Sequence, residues 1–147
     1  MKTLLKITAT ILLLVVVTNA SAQDKAISFA KLPTKAQVFV KKHFSENDIA
    51  TVMMDTEYLI KKEYEVILKN GSKMEFDADG EWKKIAMKEI AVPAQLVPAT
   101  ISQYIHKSFP NTFVKEVKKQ KNGYEVEISN GLDLEFSKKG QFIRIDD

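Results

Sequence analysis

The chain has 147 residues, with 22 basic and 19 acidic side chains and no cysteine. The missing cysteine excludes disulfide staples, a lipid-modified cysteine anchor and thiol catalysis, so stability must come from packing. The net charge of +3 includes Lys2 and Lys6 of the first segment; without it, 20 basic face 19 acidic groups. That balance gives no polybasic surface for nucleic acid.

Met1, Lys2 and Lys6 precede an apolar run over residues 11–17, and Asn19-Ala20-Ser21-Ala22-Gln23 follows. A positive start, a short apolar stretch and small residues at an A-x-A site predict a secretory signal peptide over 1–22. The apolar run is shorter than the roughly 20 residues of a relaxed membrane span. The expectation is an exported chain, periplasmic or secreted, with no stable membrane insertion after cleavage.

Residues 23–31 read as a polar lead-in. At Leu32-Pro33 a helical pattern begins, with Ala36, Phe39, Val40, His43 and Phe44 on one face. Four short segments follow that alternate with period two or are bounded by turn residues: 49–55, 62–69, 72–77 and 82–88. Residues 89–95 (EIAVPAQ) read as a linker. Val97-Pro98 opens a second helical face of Ile101, Tyr104, Ile105, Ser108 and Phe109, which ends at Phe109-Pro110. Strand patterns then fall at 113–119, 123–129, 132–137 and 141–146.

The two halves repeat one another. YEVILKNGSKMEFDADGEWKKI (64–85) aligns with YEVEISNGLDLEFSKKGQFIRI (124–145), sharing Tyr64/Tyr124, Val66/Val126, Asn70/Asn130, Gly71/Gly131, Phe76/Phe136, Gly80/Gly140 and Ile85/Ile145. Asn-Gly in each copy predicts a two-residue type I′ hairpin, and Asp79-Gly80 and Lys139-Gly140 mark the next turns. The helices repeat at an offset of 65 and the strands at 60, which puts five extra residues of the first copy around Asp55–Lys62. The expected fold class is α+β: a tandem repeat of α-β-β-β-β units at 32–88 and 96–147. Each helix is expected on a four-stranded antiparallel meander, with the two meanders joined edge to edge into one larger sheet.

Leu-Pro, an amphipathic helix, Tyr-Glu-Val, Asn-Gly and Glu-Phe-Asp-x-x-Gly-x-Trp-x-x-Ile form an order that resembles the PepSY-like, β-lactamase-inhibitor-like family of exported bacterial proteins. The resemblance covers residues 32–147 and departs in the second copy, where Asp77 becomes Ser137 and Trp82 becomes Phe142. It implies a helix on a four-stranded sheet, used twice, and no established activity; the family's name points to proteinaceous inhibitors and to protease-propeptide domains, which bind other proteins without chemistry. It implies no residue-level site motif.

Reactive constellations are not evident in the sequence. His43 and His106 are not repeated between copies and have no second ligand at local metal spacing. No nucleophile-plus-base arrangement is readable, so no enzyme and no cofactor are expected. Asp77-Ala78-Asp79-Gly80-Glu81 begins like a calcium loop but lacks the further ligands and the terminal Glu, and a hairpin turn is the simpler reading. If Ile85 and Ile145 point inward, strict alternation puts Trp82 and Phe142 on the helix-free face with Ile67 and the flanking Lys84 and Arg144. These five are the candidate contacts for a protein or peptide partner in the cell envelope. The alternative is a carrier holding an apolar small ligand between sheet and helices.

Overall fold

A computed structural model describes residues 24–57 and 61–146. The leader expected at 1–22 lies outside the described residues, as does part of the five-residue insertion. The strands are β1 (Lys25–Ile27), β2 (Ile49–Glu57), β3 (Lys61–Leu68), β4 (Lys73–Phe76), β5 (Trp82–Ala86), β6 (Val114–Gln120), β7 (Gly123–Ile128), β8 (Asp133–Ser137) and β9 (Phe142–Asp146). The helices are α1 (Thr34–His43) and α2 (Ala99–Ser108).

Each helix follows a proline that caps it from outside, Pro33 or Pro98, at the position where a missing N–H costs nothing. Ala36 and Val40 of α1 are buried, with Phe39, His43 and Phe44 half-buried beside them. Ile101 and Ile105 do the same for α2, flanked by Tyr104 and Phe109; Ser108, expected inward, is exposed. Lys41 and Lys42 close α1, and Lys107 closes α2, where positive charge suits the carbonyl end of the helix dipole.

The Asn-Gly hairpins take a different turn from the one predicted. Gly71 and Gly131 have φ of +84° and +86°, but Asn111 is the one non-glycine residue with positive φ among those described. A type I′ turn would need positive φ at Asn70 and Asn130 as well. Instead Gly71 N–H donates to Leu68 O and Leu68 N–H to Ser72 O, a three-residue loop closed by a left-handed glycine. The asparagine carboxamide stabilises it by accepting from the backbone N–H of Ser72, or of Leu132 in the second hairpin.

The nine strands form one antiparallel sheet whose order follows the chain from β1 to β9. This corrects the expected tandem repeat of helix-on-four-strand units and its α+β description: the described residues are mostly sheet, with two ten-residue α-helices laid on it. Backbone chemistry explains the outcome, since an unpaired β5 would leave a row of N–H and C=O groups needing partners. β6 supplies them, with Ile85 opposite Val117 and Ala86 opposite Glu116. Residues 87–97 support this junction. Met87 and Val92 donate to Lys115 O and Val114 O, and Val92, Leu96 and Val97 are buried.

One apolar row crosses the sheet: Val52, Val66, Met74, Ile85, Val117, Val126, Leu134 and, at the far edge, Ile145. Its members from Val52 to Leu134 are at most 2% exposed and belong to one core cluster that includes residues of both helices. Each such side chain stabilises the fold by roughly 1.5–3 kcal/mol. Phe76 and Phe136 lie on the same face and meet Phe39 of α1 and Tyr104 of α2 at 5.6 and 5.7 Å between ring centroids, both edge to face. Both helices therefore cover one face and leave the other bare.

Candidate functional site

The bare face is built from the residues that alternate with the core row. One line across it runs Met53, Glu65, Glu75, Lys84, Lys118, Glu125, Glu135, Arg144. The line beside it runs Thr51, Ile67, Lys73, Ala86, Glu116, Glu127, Asp133, Asp146. Charges arrive in pairs along the first line, two acids, two lysines, two acids and an arginine. Two ion pairs stitch the lines together, Lys73–Glu65 at 2.8 Å and Lys84–Glu116 at 2.9 Å, and two run along the first line, Lys118–Glu125 at 4.0 Å and Arg144–Glu135 at 3.0 Å. Most are too exposed to add much stability, so their main effect is to fix a charge pattern.

Lys84 sits at the centre of this pattern and faces the like charge of Lys118 across the β5–β6 junction. Partial burial acts most strongly on its ammonium and favours the neutral form. The hydrogen bond to Glu116 and the fields of Glu116, Glu75 and Glu125 outweigh it, so its pKa is raised. At the β7–β9 end, burial pushes the Asp133 carboxyl upward, and Glu127, Glu125 and Asp146 add to that. Near β1, a hollow of about 200 Å³ is lined by Asp24, Asp55, Glu63, Glu65 and Glu75 with Met53 and Tyr64. Lys83 reaches Glu63 at 2.6 Å there.

Ile67, Lys84 and Arg144 lie on the bare face, but Trp82 and Phe142 do not. Lys83 bulges out of β5, so that Glu75 faces Lys84 while Phe76 faces Trp82. The extra residue reverses the alternation and turns Trp82 to the helix side. Ile143 does the same in β9, where Glu135 faces Arg144 and Phe136 faces Phe142. The aromatics accordingly fill the seams under the helices. Phe142 stacks on Tyr104 at 4.6 Å and 12°, and Trp82 lies 6.3 Å from Phe39.

Sequence reasoning also missed Lys119, whose Nζ lies 3.7 Å from the centroid of the Trp82 ring. Lys119 pairs with Tyr124 on the helix side of β6 and covers the indole there. Burial lowers its pKa, against the opposing pull of Glu81 and Asp77. Lys119→Gln should lower stability by about 1 kcal/mol, the scale of a cation–π contact. Trp82 is the chain's single tryptophan, so its emission should change in the same variant. An unaltered spectrum would place the ammonium elsewhere.

The Asp77 turn is occupied by its own backbone. Asp77 Oδ1 accepts from the N–H groups of Asp79 and Glu81, and Glu81 is paired with Lys35 of α1 at 2.9 Å. Among the described residues no group of three or more His, Asp or Glu is arranged to hold a metal ion. His43 packs against Phe39 at 4.8 Å; burial, with Lys42 adding, lowers its pKa. The fold thus favours neutral His43, and the stability this gives above the ordinary histidine pKa is lost as pH falls through the lowered value.

A single antiparallel sheet with two helices on one face and a charged opposite face defines the class of protein. Residues 62–144 match the family described as "Putative beta-lactamase-inhibitor-like, PepSY-like". The chain belongs to that family. Among solved structures it is similar to a "putative periplasmic protein" of the DUF2874 family from Bacteroides vulgatus, at 37% identity and a TM-score of 0.79 over 86% of this chain and 99% of that one. It is similar to a "putative calcium-regulated periplasmic protein" from Bacteroides thetaiotaomicron, at 38% identity and a TM-score of 0.80 over 84% of this chain and 97% of that one. A second Bacteroides vulgatus protein, a "putative periplasmic protein of unknown function", matches at 29% identity and 0.79 over 85% and 100% of the two chains. None of the curated proteins matches. These relatives place the chain among periplasmic proteins. Among the described residues no helix is long and apolar enough to cross a membrane.

Proposed function

We propose that the chain is a non-enzymatic binding protein that recognises a protein or peptide through its helix-free sheet face. The observation that carries this reading is the bare face itself: eight successive strands present two lines of side chains with a fixed alternation of charge, while both helices lie on the opposite side. Complementary charge patterns of this kind select partners and steer their approach. The inhibitor-like description of the family agrees with a protein partner. Ile67, Lys84 and Arg144 are the contact residues of this reading, whereas Trp82 and Phe142 act as helix supports.

The carrier alternative finds no room at the centre of the core. The region between helices and sheet is filled by Phe76, Phe136, Met74, Ile85 and Leu134, each at most 1% exposed.

The test is crosslinking in the native envelope, with the captured partner identified and then titrated against variants. Ile67→Arg combined with Lys84→Glu should weaken that partner by about tenfold or more, the effect of losing roughly 1.4 kcal/mol of binding. Thermal unfolding should move little, because both side chains lie outside the core cluster. Undiminished capture by the double variant would remove the sheet face from the reading.

A further inference from the structure

The two edges of the sheet are finished differently. β1 is only three residues long and begins with Lys25, and a short strand carrying lysine is an ordinary way of blunting an edge. β9 has five residues, Phe142-Ile143-Arg144-Ile145-Asp146, with neither lysine nor proline. Ile143 and Ile145 are 56% and 41% exposed, two of the few large apolar side chains left to solvent. Ile145 also ends the apolar row that is otherwise buried from Val52 to Leu134. Among the described residues the core row therefore runs out to an open edge and stops there uncovered.

We propose that β9 pairs with β9 of a second copy of this chain, antiparallel about a two-fold axis at Ile145, continuing one sheet into the other. Charge selects both the occupant and the register. With Ile145 opposite its own copy, Arg144 faces Asp146 of the second chain and Asp146 faces its Arg144, all on the bare face. A shift of one residue would set Arg144 against Arg144, a like-charge pair directly across the strands. The neighbouring line ends in four acids, Glu116, Glu127, Asp133 and Asp146, so the second chain's arginine arrives where acidity is concentrated. Within one chain, Arg144 divides itself between Glu135 at 3.0 Å and Asp146 at 3.7 Å. The two-fold sets a second arginine beside each Asp146 and extends the apolar row through Ile145 against Ile145. A five-residue strand pairing buries less than a standard interface, so the association is weak and depends on concentration.

The surface is distinct from the contacts proposed for another protein, except at Arg144, and its test leaves Ile67 and Lys84 untouched. Sedimentation of residues 23–147 over a concentration series should show a monomer–dimer equilibrium. Ile145→Lys and Asp146→Arg should each shift it to monomer without changing the melting temperature by more than a few degrees. Because the chain has no cysteine, Ile145→Cys reports register directly. Opposed Cα atoms of an antiparallel pair lie about 4.5–5.5 Å apart, within disulfide reach. Under mild oxidation it should crosslink to covalent dimer at least tenfold faster than Gln103→Cys on the exposed side of α2. A wild-type monomer at every concentration, a dimer that survives Ile145→Lys, or equal crosslinking at the two sites would each overturn the proposal.

Discussion

Alanine at Gly80 should lower the unfolding free energy by about 3–4 kcal/mol, whereas alanine at Gly131 should cost about 1–2 kcal/mol. Both glycines close three-residue hairpin loops with left-handed backbones, at φ of +83° and +86°. The conformational penalty for an L side chain is therefore nearly the same at each. Their surroundings differ. A Cβ on Gly131 meets nothing within 4 Å, while one on Gly80 falls 2.8 Å from Pro33 Cβ and 2.9 Å from the backbone nitrogen of Ala36. A backbone atom cannot rotate aside, so α1 must lift from the turn.

Gly140 provides an intermediate case. Its added Cβ falls 1.9 Å from Thr100 Oγ1, a side-chain atom that a rotamer change can move at the expense of its hydrogen bond to Lys139 O. The expected order of melting temperatures is Gly131→Ala above Gly140→Ala above Gly80→Ala. The last should lie roughly 10 °C below the parent on the usual scaling for a domain of this size. Equal losses at all three positions would show that only backbone conformation matters and that helix docking on the turns does not. The Asp-x-Asp-Gly sequence that resembles the start of a cation loop acquires a structural meaning in this way. Its aspartate caps the loop and its glycine admits the helix.

Most element positions were legible because the local signals were strong. Leu-Pro before each helix, the Tyr-Glu-Val alternation and the turn glycines are local chemistry, and each acts wherever the rest of the chain lies. Residues 23–31 contributed an edge strand that pattern alone did not distinguish, since three residues carry no periodicity. The division into two four-stranded units did not hold, because β1 adds a ninth strand and one core row runs unbroken through β5 and β6, so the edge-to-edge join expected of two meanders makes a single sheet. Trp82 and Phe142 were assigned to the wrong face for another reason. Strict alternation through Trp-Lys-Lys-Ile and Phe-Ile-Arg-Ile hides one extra residue in each strand. A signal was present: an aromatic and an isoleucine separated by two residues in both copies cannot both face the core without a bulge. Lys119 carried no local signal, because its partner Trp82 comes from a strand 37 residues earlier.

Ile85→Ala should destabilise the whole molecule by about 2–5 kcal/mol in one cooperative transition. Ile85 is fully buried and lies opposite Met74 on one side and Val117 on the other, at the junction where the two repeated sequences meet. In a pair of tethered units, its loss would melt the first and spare the second. In one sheet with one core, the vacancy is shared, because Val117 packs onward to Val126 and Leu134 without a break. Hydrogen exchange makes the distinction amide by amide. Protection in β3 and β4 should fall by the same free energy as protection in β7 and β8, since the slowest amides of both exchange through the same global unfolding. Val117→Ala, from the opposite side of the junction, should reproduce the pattern with a smaller loss, in keeping with fewer methyl groups removed. Two resolved transitions, or losses confined to one set of strands, would divide the sheet at β5–β6. The same junction places Lys84 beside Lys118 on the bare face, so the charge pattern proposed to meet a partner exists only while the sheet stays whole.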